Sequence, residues 1–433
     1  MQDQEIHSWK KKVILFLTSQ TISIFGSSLV QYAIMWYITL NTKSGVMMAI
    51  SIICGFLPTF FVSPFAGVWA DRFSRKLLII AADSFIAVST LILAVLFLLG
   101  YDSLWLMFAV SAIRSLGGGI QSPAVSAVLP QLVPEDKLTK VNATNGSVQS
   151  LVMLLSPMAS GALLSVAPIE IIFFIDVVTA AIAVFIMTFL VQVPVHAKAL
   201  QKHVTGYFDD AMVGIRYIGS HKFVKTMFRY FAIYFFMAAP VAFLTPLQVT
   251  RTFGDEVWRL TAIEIVFSVG TMAGGILLAS WQGFRNKIHT MVFSSTILGL
   301  FTFALGITPV FWLYLFFMAV VGLAMPFFNT PAMVLLQEKV ENDFLGRVFG
   351  VLSMISSITM PLGMLIFGPL ADVIAIEPML ISTGLIMAVI GLFLLRNKEM
   401  LREGEPKKEP EDEPEDVLKK AEIESEEERK TEL

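Results

Sequence analysis

Runs of about twenty apolar residues recur from Val13 almost to Arg396, and they leave this chain few folds to adopt. A helix needs roughly 20 such residues to cross the hydrocarbon core of a bilayer. Inside lipid, only helices and closed barrels satisfy every backbone N–H and C=O. Twelve spanning helices are predicted, at about 13–40, 45–70, 77–100, 104–131, 138–166, 169–192, 223–250, 258–282, 288–307, 310–338, 344–373 and 377–396. A transmembrane barrel is excluded, because it requires ten-residue alternation rather than long continuous apolar runs. Composition agrees: of 433 residues 56% are hydrophobic and only 15% charged, with a mean hydropathy of +0.74, too apolar for a soluble domain. The first run is too long for the core of a signal peptide and is followed by further spans, so it is expected to remain as the first helix.

Lys and Arg in short loops set the orientation of such a bundle. One side carries Lys10 to Lys12, Arg72, Arg75, Lys76, Lys137, Lys140, Arg285, Lys287, Lys339, Arg347 and Arg396, whereas the other has little beyond Lys43, Arg251 and Arg259. Both termini are therefore expected on the cytoplasmic side of a multi-pass plasma-membrane protein, which requires an even number of spans. Trp9, Trp36, Trp69, Trp105, Trp258, Trp281 and Trp312 all fall near predicted helix ends, the headgroup level that tryptophan prefers.

The connection at 193–222 is the longest internal one and divides the spans into residues 1–192 and 223–396, six helices each. Within it, "YFDDAMVGIRYI" places Phe208, Met212, Ile215 and Ile218 at helical spacing, which predicts an amphipathic helix on the cytoplasmic surface, a tether with no substrate role. The two halves resemble each other: Pro123-Ala124 and Gln121 in the fourth span align with Pro331-Ala332 and Asn329 in the tenth. Residues 397–433 hold fifteen acidic and eight basic residues, a net −7, and are too poor in apolar side chains to bury a core, so a disordered or fraying cytoplasmic tail is expected.

Two stretches carry a family resemblance. "GVWADRFSRK", with Gly67, Asp71, Arg72, Arg75 and Lys76, is similar to the loop signature between helices two and three of major facilitator transporters. "RSLGGGIQSPAVSAVLPQLVPEDKLTK", beginning at Arg114, resembles the Mef-type macrolide efflux proteins of the drug:proton antiporter branch, and "SVQSLVMLLSP" and "LGRVFGVLSMISSITMPLG" strengthen the match. The resemblance implies the all-α major facilitator fold, twelve transmembrane helices in two six-helix halves related by an axis along the membrane normal. It also implies a monomeric exporter of a small amphipathic substrate, such as a macrolide, in exchange for protons.

Ionisable groups inside spans are costly and are functional candidates by default. Arg114 lies about ten residues into the fourth span, roughly 15 Å deep, where it either fixes structure through an internal ion pair or tunes a neighbouring carboxylate. The resemblance implies a proton-coupling role. Glu264, about six residues into the eighth span, is the candidate proton carrier; the alternative is pairing with Arg259 or Arg251. Asp83 and Asp176 lie in supporting helices, where structural hydrogen bonding is favoured, and Asp83 is expected to join Arg75 and Lys76 in gating. Gln31, Gln121, Asn145, Gln149 and Asn329, with Gln20 and Asn142, mark a possible substrate path, and Tyr32, Tyr234, Phe235 and Phe236 a pliable apolar pocket. Asp71 follows the C-terminal end of a helix, whose own dipole it opposes, and is expected to latch instead onto the N-terminus of the eleventh span near Asp343 and Arg347, with Gly67 permitting close contact. A plain turn residue is the alternative.

Other functions are less compatible with these residues. All five histidines, His7, His196, His203, His221 and His289, lie at cytoplasmic ends or loops, so no intramembrane metal centre is expected; the single cysteine, Cys54, excludes an internal disulfide. No phosphate-binding loop for ATP is present. No cofactor, metal or nucleic-acid partner is expected, and membrane lipid is. Export of another solute, such as a siderophore or lipid-like metabolite, is the runner-up, ahead of a channel or membrane enzyme.

Overall fold

The computed structural model describes residues 2–193 and 207–405, and within them all side chains except those of residues 2–8, 64, 67, 68, 71, 72, 135, 207–211, 342 and 343. The chain forms helices α1 (Gln2–Thr42), α2 (Gly45–Arg72), α3 (Arg75–Leu98), α4 (Leu104–Leu132), α5 (Glu135–Val166) and α6 (Ile169–Phe185), the last continued by a π-helical turn at Ile186–Leu190. After α7 (Tyr207–Ser220) come α8 (Lys222–Phe243), α9 (Thr245–Thr252), α10 (Val257–Trp281), α11 (Lys287–Ile307), α12 (Phe311–Lys339), α13 (Asn342–Val373), α14 (Ile376–Arg396) and the short α15 (Lys398–Glu403). No strand is present among the described residues.

Among the described residues, eleven helical stretches are long and apolar enough to cross a membrane. The 29-residue α4 is the twelfth long helix; Arg114, three glycines and Gln121 dilute its apolar character. One of the eleven, Lys222–Thr252, is α8 and α9 together. The chain bends at Leu244, after Pro240, and Pro246 sits in the first turn of α9, where its missing N–H costs nothing.

Helix packing repeats. In the first half α2 packs on α4, α4 on α3, α3 on α6, α6 on α1 and α1 on α5; in the second, α10, α12, α11, α14, α8 and α13 follow one another in the same order. The motif shared by α4 and α12 thus occupies equivalent helices. The halves meet where α2 packs on α13 and α5 on α10.

The cores differ. Buried side chains of the second half form one continuous cluster from Phe223 through Tyr314 and Leu335 to Met400. That cluster also takes in Trp36, Met48, Ala49 and Ile52 of the first half, whose remaining clustered residues form two groups. One, around Leu29, Leu93, Met107 and Phe173, lies toward the end of the bundle opposite the termini; the other, around Val13, Phe16, Ile79 and Val128, lies toward the end where α1 begins and α14 finishes. These are called the distal and terminal ends below. Polar side chains fill the layer between the two clusters.

The linker helix α7 packs one face against the protein and leaves part of the predicted apolar face uncovered. Tyr217 and Ile218 are buried, whereas Met212 and Ile215 are about half exposed, and Phe208 lies outside the described side chains. The reason is the start of α13: Tyr217 stacks on Phe344 at 4.5 Å, Glu341 donates its N–H to the Tyr217 hydroxyl at 3.3 Å, and Gly214 lies close against the Arg347 carbonyl, which an added Cβ would approach to 3.0 Å. The rest of the connection, 194–206, and the acidic tail beyond 405 lie outside the described residues.

Candidate functional site

Helical spacing builds the polar layer of the first half. Ser23 and Ser27 on α1 are four residues apart, while Asp83 and Thr90 on α3 and Arg114 and Gln121 on α4 are seven apart, so each helix presents two polar groups on one face. They assemble as two storeys. In the lower, Ser23 donates its hydroxyl to Asp83 Oδ1 at 2.7 Å and Gln121 donates Nε2–H to the same oxygen at 2.6 Å; Asp83 Oδ2 and Gln20 Nε2 are buried without partners. In the upper, Arg114 forms a buried ion pair with Asp176 of α6 and donates to the Thr90 hydroxyl and, at 3.1 Å, to the Ser27 carbonyl. Thr90 in turn donates to Asp176 at 3.1 Å. Four helices are thereby tied together at mid-depth.

This geometry gives two of the candidate residues partners that the sequence does not reveal. Asp83 does not join the loop cations: it is 2% exposed, held by α1 and α4. Arg75 instead donates to the Ala70 and Ala127 carbonyls at 3.0 and 2.7 Å, and Lys76 to those of Thr188 and Val191 at 2.9 and 2.8 Å. Gln121, expected on a substrate path, is engaged by Asp83. The reason is azimuth: both residues point into the layer rather than toward the loop or the gap between halves.

Glu264 on α10 makes no hydrogen bond or ion pair among the described residues. Both cations considered for it are committed elsewhere. Arg259 binds Glu256 at 3.0 Å and lies over the Trp258 and Phe311 rings, and Arg251 binds Asp372 at 2.9 Å. Across from Glu264 on α1 stands Tyr32, close enough to interact with it electrostatically. Glu264 is partly accessible, an acid between the halves with no countercharge. Tyr234, expected to line a pocket, is instead buried and stacked on Phe328 at 4.4 Å.

Of the remaining polar candidates, Gln31, Gln149 and Asn329 are exposed and Asn145 is half-buried; no hydrogen bond joins them to one another. The loop residues Gly67, Asp71 and Arg72 lie in the last turns of α2, with side chains outside the described ones, as is that of Asp343. No cluster of three or more metal-ligating side chains occurs among the described residues.

The distal end is sealed between the halves by a group that the sequence reading missed. Asp372, at the end of α13, accepts hydrogen bonds from the Ser44 hydroxyl at 2.7 Å and from the N–H groups of Gly45 and Val46 at 2.6 and 3.0 Å. These are first-turn donors of α2, which have no partner within their own helix, and the α2 dipole favours an anion there. Arg251 clamps the assembly from α9 by binding Asp372 and, at 3.1 Å, the Lys43 carbonyl; Lys43, held in the left-handed region at φ +47°, reaches Asp255 at 2.8 Å. Gly45 and Gly368 let α2 and α13 touch backbone to backbone: a Cβ on Gly368 would lie 2.6 Å from Ala49 Cβ and 2.7 Å from the Gly45 carbonyl. On the other helix pair, Gly161 of α5 lies against Thr261 of α10. A signal for this was present. Gly368-Pro-Leu-Ala-Asp372 repeats the pattern of Gly67-Val-Trp-Ala-Asp71.

The terminal end is parted. From Asn142 to Ser147 every residue of α5 except Asn145 is exposed, more than a full turn, so most of the helix's circumference is uncovered there. Side chains added at Gly146, Gly346 or Gly350 would meet open space.

Asp372→Ala is expected to open the distal end. Hydrogen bonds to a charged group contribute about 1.5–3 kcal/mol each, so losing this set shifts the closed–open equilibrium by roughly tenfold or more. Pulsed electron paramagnetic resonance between labels at the exposed Asn41 and Val373, in a Cys54→Ser background, checks this. A longer-distance population should appear, and an unchanged distribution contradicts the assignment.

Comparison with known proteins follows the same lines. The family profile described as Major Facilitator Superfamily matches residues 16–358 and 258–425. Macrolide efflux protein A of Streptococcus pyogenes is 29% identical over 391 residues, covering 90% of this chain and 96% of that protein. Macrolide efflux protein A of Enterococcus faecalis is 30% identical over 323 residues, covering 74% and 99%. Among solved structures, a bacterial homologue of the human lysosomal transporter Spinster superposes with a TM-score of 0.69 at 13% identity, covering 93% of this chain and 99% of that one.

Proposed function

The chain belongs to the Major Facilitator Superfamily, and from that membership we propose that it is a proton-coupled exporter of amphipathic drugs, macrolides among them. It works as a monomer in the plasma membrane, by alternating access. The observation that carries alternating access is the asymmetry of the two ends: the halves are sealed distally by the Asp372 and Arg251 assembly and parted at the terminal end, where most of the circumference of α5 is uncovered. With Lys and Arg concentrated at the terminal end, that end is cytoplasmic by the positive-inside rule. The conformation is then one that receives substrate from the cell interior. The similarity to macrolide efflux proteins over most of both chains supports that substrate class.

In this reading Glu264 carries the coupled proton. An unpaired carboxylate inside a bundle is costly when ionised and cheap when neutral, so taking up or releasing a proton changes the cost of moving Glu264 between the two faces. Arg114, fixed to Asp176, keeps the first half rigid at mid-depth. Gln31, Asn145, Gln149 and Asn329 offer hydrogen-bonding edges to a substrate in the parted vestibule. Asp71, with Gly67, Arg72, Arg75 and Lys76 around it, latches the cytoplasmic end when the outer seal opens.

A drug-susceptibility panel in an efflux-deficient strain tests the reading. Expression should raise the inhibitory concentration of macrolides, and a protonophore should restore drug accumulation. If no drug in the panel changes in accumulation, the drug-export reading fails and export of another solute takes its place.

A further inference from the structure

A cavity of about 430 Å³ opens at the terminal end between α2, α7, α8 and α13. Its wall is apolar, formed by Phe60, Ile215, Phe228, Ile355 and Ile358 among others, and the charged groups at it are Lys225 and Arg229 of α8. Both cations are exposed, and neither forms an ion pair or hydrogen bond among the described residues. The half-exposed Ile215 of the linker helix, unexplained by packing against α13, borders this space.

Depth identifies the occupant. Lys225 lies three residues from the start of α8 at Lys222, about 5 Å, and Ala232, at the inner end of the cavity on that helix, lies ten residues from it, about 15 Å. From the level of Lys225 to its inner end the cavity therefore runs about 10 Å, which keeps it within one leaflet, half of the roughly 30 Å hydrocarbon core. A ligand that fits has an apolar portion that stays within one leaflet and an anionic group on its headgroup side. The chain's own acidic tail supplies charge without the apolar residues to fill the wall, and a cationic amphiphile would meet two uncompensated cations.

We propose that this cavity binds one anionic glycerophospholipid of the leaflet at the terminal end, its phosphate on Lys225 and Arg229 and an acyl chain between Phe60 of α2 and Ile358 of α13. Lying between a helix of the first half and helices of the second, the lipid wedges the terminal end apart, and that end closes only when the chain leaves. The site goes beyond the export reading and holds whatever the exported compound is.

Native mass spectrometry of the full-length protein, extracted from vesicles of equal parts phosphatidylglycerol and phosphatidylcholine, tests the site. The wild type should retain one phosphatidylglycerol in preference to phosphatidylcholine by about 30-fold, the selectivity two basic residues confer at a charged membrane surface. Lys225→Ala with Arg229→Ala, at exposed positions that leave the fold intact, should abolish the preference. Ile215→Trp, which keeps both cations and fills the cavity, should abolish retention. Equal retention of the two lipids by the wild type, a preference that survives the double substitution, or a lipid that survives the Trp substitution would each overturn the proposal.

Discussion

Glu264→Gln should eliminate drug export driven by a pH gradient while leaving drug counterflow across proteoliposomes intact. Glutamine preserves the size and hydrogen-bonding edge of the side chain but cannot exchange a proton. Each pH unit across the membrane contributes a factor of about ten to the accumulation one coupled proton supports, and the variant should lose that whole factor. Counterflow needs only binding and the change of access, so it reports that the protein is folded and moving. Two outcomes are informative against the assignment. Export that still follows the pH gradient removes Glu264 as the proton carrier, and loss of counterflow as well shows that Glu264 holds substrate or structure instead. The structure sharpens this test, because both cations considered as partners for Glu264 are bound to other acids.

Arg114→Met and Asp176→Leu should each destabilise the protein strongly, by about 3–5 kcal/mol, since removing one member of a buried pair leaves the other charge uncompensated. The double variant should recover most of that loss, because an apolar replacement of both members removes the uncompensated charge. Thermal unfolding in detergent measures the stability of all three. Transport then separates two roles. If Arg114 serves coupling, the stable double variant will not export against a gradient; if it serves only to tie α1, α3, α4 and α6 together, the double variant will pump at the wild-type rate.

Eleven spans were legible because run length and apolarity decide whether a helix can cross a bilayer; α4, diluted by Arg114 and its glycines, was legible from its length and its place between α3 and α5. The site was legible in height but not in direction. Asp83 is eight residues from Arg75, about 12 Å along α3, enough to separate it from the loop, yet only the packing of α1 and α4 reveals that it faces Ser23 and Gln121. The contact of α7 with α13 was illegible for a similar reason: apolar spacing marks Met212 and Ile215, whereas the groove at the start of α13 accepts the small Gly214 and the ring of Tyr217. Asp372 was overlooked because the N–H groups it binds are 326 or more positions away in the chain, and no local pattern encodes that distance. Only the recurrence of Gly-x-x-Ala-Asp did.

That recurrence has a thermodynamic meaning. At the distal end α13 supplies the acid and α2 the free N–H groups. In the proposed cytoplasmic latch α2 supplies the acid and α13 the N–H groups. One antiparallel pair of helices would then carry the same interaction twice, head to tail, and each closure would spend the contact that the other regains. Conformations that exchange like for like lie close in free energy. A chain arranged in this way needs no large driving force to turn over, and the small bias supplied by a single proton is enough to set its direction.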